Sequence, residues 1–426
     1  MKKIGVPPVV LSGACLFLSG CGSLENFTQK TDTESPAPEF SVSTAGHREP
    51  EDVCGFVDAV SPIVEGDGMV RIPPSHPDIR YAGRIDCGNP DALRFSHPGI
   101  SIRVRFEGRF LAVLLDDFGV EEYPNYYNVV VDDNAPVVLK VSPDQQKYVL
   151  AEDLPQGIHV VEMVKRVEAG AGGNLNNGKG VFRGFVVHPG TTLLPLSPRP
   201  RRFEFIGDSI ICGYGNEMST MTPEVYPHTT TNSNATIAYG ALVAAALGAE
   251  YMTVAYSGRG VMRNYADEPG KTMPEMYLDI LPDDADPGRW EVARYTPELI
   301  VINLGTNDFS EGLPLDALPS LRASFEKEYG LFLDTLRRYY PDAVFILTVG
   351  PVLNDNWPKG FEALTSVRTI LARIVSTRRA AGDRNLHFFV HAPQTPPYGE
   401  DWHPTAERHR MMADELLAFI DTLNIY

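Results

Sequence analysis

The chain has 426 residues, of which 43% are hydrophobic and 22% charged, and its formal net charge is -18 at pH 7. This is the composition of a folded protein that is long enough for two domains. The negative charge argues against nucleic-acid binding and against docking on anionic lipids, because an acidic surface repels phosphate groups.

The first 20 residues have the pattern of a secretory signal peptide. Two lysines follow Met1, and residues 9–18 are apolar but too few to span a membrane. Residues 18–21, Leu-Ser-Gly-Cys, resemble a bacterial lipobox, which implies cleavage before Cys21 and lipid on its sulfur. An ordinary signal peptide cut elsewhere is the alternative. Gly22 stands where an inner-membrane retention signal has Asp, so we expect a lipid anchor at the outer membrane or cell surface.

Residues 21–51 and 52–195 differ in pattern. The first segment is rich in Ser, Thr, Glu and Pro, which predicts a disordered tether. The second shows short alternating runs separated by turn residues, which predict an antiparallel β-sandwich of the jelly-roll type. The eight runs are Ile79–Arg84, Ile100–Phe106, Phe110–Asp116, Tyr126–Val131, Val137–Val141, Tyr148–Ala151, His159–Arg166 and Val181–His188.

Three features of this region admit more than one interpretation. Outside the cytoplasm Cys54 and Cys87 are free to form a disulfide, but spacing alone leaves their pairing open. Residues 173–179 have the spacing of a phosphate-binding loop, yet a strand pattern follows where a helix is needed, so we predict a hairpin. Tyr123, with the tyrosines at 126 and 127, belongs either to strand packing or to a sugar-stacking surface.

Residues 200–426 alternate between strand and helix patterns, which predicts an α/β doubly wound parallel sheet. Before it, the proline-rich stretch 193–202 marks the domain boundary. The strands are expected at Arg202–Ile206, Tyr251–Ala255, Leu299–Leu304, Ala343–Val349 and Leu386–His391, and the helices at Ile237–Leu247, Asp316–Tyr339, Phe361–Arg379 and Thr405–Leu423.

Four polar segments follow strands of this domain. They are Gly-Asp-Ser at 207–209, Ser-Gly-Arg-Gly at 257–260, Gly-Thr-Asn-Asp at 305–308 and Asp-Trp-His-Pro at 401–404. Parallel strands carry their carboxyl ends to one edge of the sheet, so we expect these segments to meet in one crevice.

The residue types in these segments suit ester hydrolysis. Ser209 is the candidate nucleophile, and His403 is the candidate base that takes and returns its proton. A tetrahedral oxyanion needs aimed donors, for which the backbone N–H groups of Ser209 and Gly258 and the side-chain amide of Asn307 are candidates. Cys212, three residues after the nucleophile, is expected to be a small buried residue.

The four segments, in this order, resemble the SGNH (GDSL-type) hydrolases over nearly all of the second domain. IGDSIICGYGNE, SGRG and DWHPT, preceded by a β-sandwich, are most similar to carbohydrate esterase family 2. The resemblance implies a serine esterase that removes O-acetyl groups from plant polysaccharides such as xylan or glucomannan, through an acetyl-enzyme and without a metal or cofactor. It covers the chain from about Tyr81.

The sequence departs from the broader superfamily beside the histidine. There an Asp lies three residues before it, where this chain has Glu400, and Asp401 lies two residues before it. Asp401, Glu400 or a backbone carbonyl therefore remain alternatives for orienting His403, and a Ser209–His403 dyad with Asp401 as an optional third member is the prediction.

The surroundings of the site leave further choices. Trp402 is predicted either to contact sugar or to anchor its loop, and Arg259 either to contact a sugar hydroxyl or to form an ion pair. His387 and His391 lie on one face of a strand but lack a third ligand, so we expect no metal site.

Together these features predict a monomeric, lipid-anchored esterase acting on acetylated polysaccharide or oligosaccharide. One alternative is the same site acting on lipid, thioester or cell-envelope acetyl groups. The other is a carbohydrate-binding lipoprotein without catalysis, against which the intact serine, asparagine and histidine count.

Overall fold

The structure is a computed structural model that describes residues 53–57, 61–171, 177–222, 228–282 and 284–426. The predicted signal peptide, the Cys21 lipobox and the tether lie outside these ranges. Part of the phosphate-loop-like run at 173–179 also lies outside these ranges. The residues that follow this run form a strand, which agrees with the predicted hairpin.

The amino-terminal part consists of two antiparallel sheets of six strands each. All eight runs predicted from the sequence are strands here, and four short strands at 63–64, 70–72, 93–95 and 192–194 were missed. The strands are β1 (Ile63–Val64), β2 (Val70–Ile72), β3 (Ile79–Ala82), β4 (Leu93–Phe95), β5 (Ser101–Glu107), β6 (Leu111–Asp117), β7 (Tyr126–Val131), β8 (Val137–Lys140), β9 (Lys147–Ala151), β10 (Ile158–Lys165), β11 (Gly180–Val187) and β12 (Thr192–Leu194).

The sheets form a sandwich because their strands alternate buried and outward-facing side chains. One sheet has the order β1-β2-β11-β6-β9 with β4 beside β11, and the other has the order β12-β5-β10-β7-β8 with β3 beside β5. Along β10, His159, Val161, Met163 and Lys165 are buried while the residues between them are more exposed. Cys54 and Cys87 form a disulfide.

The carboxy-terminal part is a five-stranded sheet in which every pairing is parallel. Its strands, in the order β14-β13-β15-β16-β17, are β13 (Arg201–Gly207), β14 (Ala249–Ala255), β15 (Leu299–Asn303), β16 (Val344–Val349) and β17 (Leu386–Val390). The helices are α1 (Ser209–Cys212), α2 (Tyr239–Ala246), α3 (Met273–Met276), α4 (Leu318–Tyr339), α5 (Ala363–Ala380) and α6 (Ala406–Leu423). Within the described ranges, no helix combines the length and apolar character needed to cross a bilayer.

The largest of the apolar clusters among the described residues extends through both parts of the protein. It includes Phe106 and Phe182 of the sandwich together with Ile206 and Ile302 of the parallel sheet. Because this cluster is continuous, the domain limits drawn at 52–195 and 200–426 stay predictions.

A buried ion pair also joins the two parts. Arg84, which follows β3, lies 3.1 Å from Glu204 on β13, and both side chains are fully buried. The hydroxyl of Tyr277 donates to the same carboxylate, and its ring lies 4.5 Å from the Arg84 guanidinium carbon. The sandwich therefore packs directly on the strand that leads to Ser209.

Candidate active site

Ser209 lies at the junction between strand β13, which pairs with β14 and β15, and helix α1. Asp208 caps the helix by accepting a hydrogen bond from the Ile210 N–H at 3.1 Å. Gly207 ends the strand, and a Cβ there would lie only 2.5 Å from the Ile211 side chain and 2.8 Å from the Asn303 carbonyl oxygen. The turn is therefore tight enough to require glycine, and it presents Ser209 at the carboxyl edge of the sheet.

His403 is within hydrogen-bond reach of this serine. Its Nε2 lies 2.7 Å from the Ser209 Oγ, and its Nδ1 lies 2.9 Å from the carbonyl oxygen of Glu400. A carbonyl oxygen only accepts, so Nδ1 carries the proton and Nε2 is free to accept the serine hydroxyl. Burial lowers the pKa of His403 to about 4, which leaves the ring neutral and able to act as a base at neutral pH.

Asp401, one of the alternatives for orienting His403, makes its side-chain contact with another residue in this structure. The Asp401 carboxylate accepts the hydroxyl of Tyr214 at 2.7 Å, and the backbone carbonyl of Glu400 takes the place beside Nδ1. The reason is the backbone: Asp401 and Trp402 have φ values of 46° and 60°, which fold the turn back so that the Glu400 carbonyl faces the ring. Of the alternatives left open by the sequence, the backbone carbonyl is the one observed.

The side chain of Glu400 holds this turn in place. Its carboxylate is fully buried and accepts from His228 Nδ1 at 2.7 Å, from Asn232 Nδ2 at 2.7 Å and from the Thr229 N–H at 3.1 Å. Burial raises the pKa of this carboxyl, but these three donors outweigh it and hold the pKa below its ordinary value. Gly215 admits the turn, because a Cβ there would lie 2.4 Å from the Glu400 Cβ.

The predicted oxyanion donors are the N–H groups of Ser209 and Gly258 and the side-chain amide of Asn307, and that role stays a prediction. Among the described residues, neither the N–H of Ser209 nor that of Gly258 has a hydrogen-bond acceptor, and Gly258 has a φ of 78° that suits glycine. The Asn307 amide nitrogen donates to the Arg259 carbonyl at 2.9 Å and lies 3.3 Å from the Asp208 carboxylate. Asn307 therefore ties together the segments that carry the two N–H groups.

Two buried carboxyl groups support the same segments. Asp308 accepts from the backbone N–H groups of Val261, Met262 and Arg263 at 2.8–3.2 Å. Burial raises the pKa of Asp308 to about 6 and that of Asp208 to about 7. Asp208 contacts the Ile210 N–H and the Asn307 amide, and Asp308 contacts three backbone N–H groups, so both carboxyl groups hold loops of the site in place.

The two predicted sugar contacts differ in exposure. Trp402 is 48% exposed beside His403. Arg259 instead lies over the Tyr256 ring, 4.6 Å from its centre, and donates to the Pro269 carbonyl at 3.2 Å. Of the two, Trp402 is thus the side chain with a largely exposed surface, and it adjoins His403 in the chain.

Sequence reasoning missed several residues of this site. The Tyr214 ring packs at a tilt against the His403 ring and stacks on the His228 ring, with ring centres 4.4 Å and 4.0 Å apart. Glu168, from the sandwich, accepts from the N–H of Ser257 at 2.6 Å. Tyr214 lies inside the segment that carries Ser209 and could have been suspected from that position, whereas His228 and Glu168 lie in segments with no motif.

Other predicted features lie apart from this chemistry. The Cys212 thiol is buried in α1, as expected. The Tyr126 hydroxyl forms a hydrogen bond with the Thr231 hydroxyl, and the Tyr127 side chain is buried in the sandwich. The ring centre of Tyr123 lies 6.4 Å from that of His228. Over the part of the chain that the structure describes, no cluster of three or more His, Cys, Asp or Glu side chains is arranged to hold a metal ion.

Comparison with known proteins places this geometry in a family. Residues 81–197 match the model of the carbohydrate esterase 2 N-terminal domain, and residues 203–416, half of the chain, match that of the GDSL-like lipase/acylhydrolases. This chain belongs to the GDSL-like hydrolases of carbohydrate esterase family 2.

Individual relatives agree with this assignment. The chain is 33% identical to the cellulase/esterase CelE of Acetivibrio thermocellus over 81% of its own length, but spans only 39% of that protein. It is 30% identical to an acetylxylan esterase/glucomannan deacetylase of Cellvibrio japonicus, over 82% of this chain and 90% of the relative. A family two carbohydrate esterase from Clostridium thermocellum, solved with cellohexaose, matches with a TM-score of 0.71 and 32% identity over 81% of this chain and 98% of that one.

Proposed function

We propose that this protein is a serine esterase that removes O-acetyl groups from carbohydrate, with acetylxylan or a related plant polysaccharide as its substrate. The observation that carries the proposal is the 2.7 Å contact between Ser209 Oγ and His403 Nε2. The relatives named as acetylxylan esterases, and the relative solved with cellohexaose, support a glycan ester as the substrate.

In the first half of the reaction, Ser209 Oγ attacks the acetyl carbonyl carbon while His403 Nε2 takes the serine proton. The carbonyl oxygen becomes an oxyanion next to the N–H groups of Ser209 and Gly258. The bond to the sugar oxygen then breaks, and His403 gives its proton to that oxygen. The products are a free sugar hydroxyl and an acetyl group on Ser209.

In the second half, a water molecule attacks the carbonyl carbon of the acetyl group, and His403 takes a proton from that water. The bond to Ser209 Oγ breaks, His403 returns the proton to the serine, and acetate leaves. A sugar hydroxyl in place of water would give acetyl transfer by the same steps. The low pKa of His403 suits both halves, because the ring begins each half neutral.

The surface beside the base fits a sugar. An exposed indole offers a flat apolar face on which a pyranose ring packs, and Trp402 adjoins His403 in the chain. Because the Trp402 side chain is exposed, we expect it to contact the glycan rather than the acetyl group.

Acetate release from acetylated xylan, acetylated glucomannan and an aryl acetate tests this function. The parent protein should release acetate, and Ser209→Ala should lower the rate by at least about 10⁴-fold. Esters with longer acyl chains and acetyl thioesters form the comparison set. No acetate from any acetylated glycan, together with faster hydrolysis of long-chain esters, would overturn the proposed substrate, and an active Ser209→Ala variant would overturn the nucleophile.

We also propose that the protein is exported and anchored through lipid on Cys21, with residues 21–51 as a tether. The lipobox-like segment and the Cys54–Cys87 disulfide support this, since disulfides persist mainly outside the cytoplasm. Fractionation of cells expressing the parent and Cys21→Ala tests it. The parent should fractionate with membranes and incorporate labelled fatty acid, and equal behaviour of the variant would overturn the anchor.

A further inference from the structure

Glu168 is a buried carboxylate of the sandwich that lies against the catalytic loops. It follows β10 in the chain and is 5% exposed. One of its oxygens accepts from the backbone N–H of Ser257 at 2.6 Å, and the other accepts from the Ser257 hydroxyl. Hydrogen bonds to a charged acceptor are stronger than neutral ones, so this two-point contact restrains Ser257 firmly.

Ser257 is joined directly to the candidate oxyanion donor. The peptide bond between Ser257 and Gly258 is planar, so fixing Ser257 on one side limits how the Gly258 N–H turns. On the other side, the Gly258 carbonyl accepts from the Tyr265 N–H at 2.8 Å. The donor is thus held from both ends, by Glu168 through Ser257 and by Tyr265.

Glu168 also lies close to the helix that bears the nucleophile. Burial and the adjacent Glu168 carboxylate raise the pKa of the Cys212 thiol in α1. The buried amine of Lys165, whose own pKa burial lowers to about 7, is near enough for the Glu168 charge to favour its protonated form. Its Nζ donates to the Val167 carbonyl, which steadies the segment that presents Glu168.

We infer that Glu168 is a positioning residue for ester hydrolysis: it holds the Ser257–Gly258 peptide so that the Gly258 N–H faces the developing oxyanion. This inference rests on the proposed function. It makes the sandwich a part of the catalytic apparatus, because the group that aims the donor comes from the other side of the domain boundary.

The test compares Glu168→Gln with a matched control, Glu162→Gln. Glu162 lies on β10 of the same sheet and bonds Ser101 and Arg199, away from the catalytic loops. Glu168→Gln keeps the shape of the side chain and one acceptor but loses the charge. It should lower kcat for an aryl acetate by about 10- to 100-fold with KM changed less than about twofold, while Glu162→Gln stays within about twofold in both.

Phenylboronic acid separates positioning from general damage to the fold. It forms a tetrahedral adduct on serine, so Glu168→Gln should weaken its inhibition by about the factor lost in kcat and leave binding of cellohexaose unchanged. Ser257→Ala, a milder change that keeps the backbone contact, should lower kcat by less. The double variant should lose little more than Glu168→Gln, because both changes break the same contact.

The outcomes that would overturn the inference are distinct from failure of the proposed function. If the parent is active and the kcat of Glu168→Gln lies within twofold of the parent's, the positioning role is contradicted and the proposed function is not. The same holds if Glu162→Gln loses as much kcat as Glu168→Gln does. If the parent releases no acetate, the rate at which a fluorophosphonate labels Ser209 still depends on the oxyanion donors and can be measured instead. A labelling rate equal in the parent and in Glu168→Gln would then contradict the inference.

Discussion

The turn that carries Ser209 and the turn that carries His403 are built in opposite ways. Ser209 stands between a strand and a helix, and its position follows from regular backbone, Gly207 and the Asp208 cap. His403 follows a turn in which Asp401 and Trp402 both have positive φ. Regular structure therefore positions the nucleophile, whereas the base depends on an irregular turn.

The difference identifies which side chains the site depends on. Around Ser209 the turn itself is set by regular backbone, by Gly207 and by the Asp208 cap. Around His403 the important contacts are made by Glu400, which reaches His228 at a sequence distance of 172 residues and Asn232 at 168. Changes remote from Ser209 in sequence should therefore affect the base more than the nucleophile.

The largest effect should come from removing the base itself. His403→Ala should lower kcat by at least about 10⁴-fold, because Ser209 then lacks a proton acceptor. Steady-state kinetics on an aryl acetate, with a melting curve as a check on folding, measure this. Combining it with Ser209→Ala should cost little more than either change alone, and a much larger combined loss would show that the two residues do not act as a unit.

The next effect should come from the anchor of the His403 turn. Glu400→Ala removes the acceptor of three hydrogen bonds and should lower kcat by about 100-fold, since the carbonyl that orients His403 is then free to move. Glu407→Gln, which changes an exposed carboxylate at the start of α6, is the control and should leave kcat unchanged. Equal kinetics for the two variants would contradict the role of the anchor.

A smaller effect is expected at Asp401. Because its carboxylate bonds Tyr214 and the Glu400 carbonyl orients the base, Asp401→Asn should cost less than about tenfold in kcat. Removing the aspartate of a serine-protease triad costs about 10⁴-fold. A loss of that size here would show that Asp401 moves to the His403 ring when substrate binds.

The fall of kcat/KM at acidic pH should occur at a lower pH than the ordinary pKa of histidine would give. Only neutral His403 accepts the serine proton, so activity falls when the ring is protonated as the pH drops through its pKa. With that pKa lowered to about 4, kcat/KM should stay level from neutral pH down to about pH 5 and fall near pH 4. Asp401→Asn should move the fall to lower pH, because the Asp401 charge raises the pKa of His403. A midpoint near the ordinary histidine value of about 6.5 would contradict the burial of the ring.

Much of this site could be predicted from the sequence, for a physical reason. Ser209, Gly258, Asn307 and His403 all follow parallel strands, whose carboxyl ends share one edge. Hydrophobic pattern locates those strands, and topology then brings the residues together without any knowledge of side-chain contacts.

The remaining contacts depend on tertiary structure that no local pattern encodes. The Glu400 carbonyl replaces Asp401 because two residues adopt positive φ, which neither Asp nor Trp signals in a sequence. Glu168 reaches Ser257 across the predicted domain boundary, 89 residues along the chain. Such contacts become visible only when both partners are placed in space.

The central claim is that Ser209 carries the acetyl group, and mass spectrometry tests it most directly. The parent, mixed with an aryl acetate and quenched in acid within the first turnover, should show one acetyl group on the peptide that contains Ser209. Ser209→Ala should show none and release no acetate. Acetate release by the parent with Ser209 never acetylated, or an equal acetyl signal in both proteins, would contradict the account.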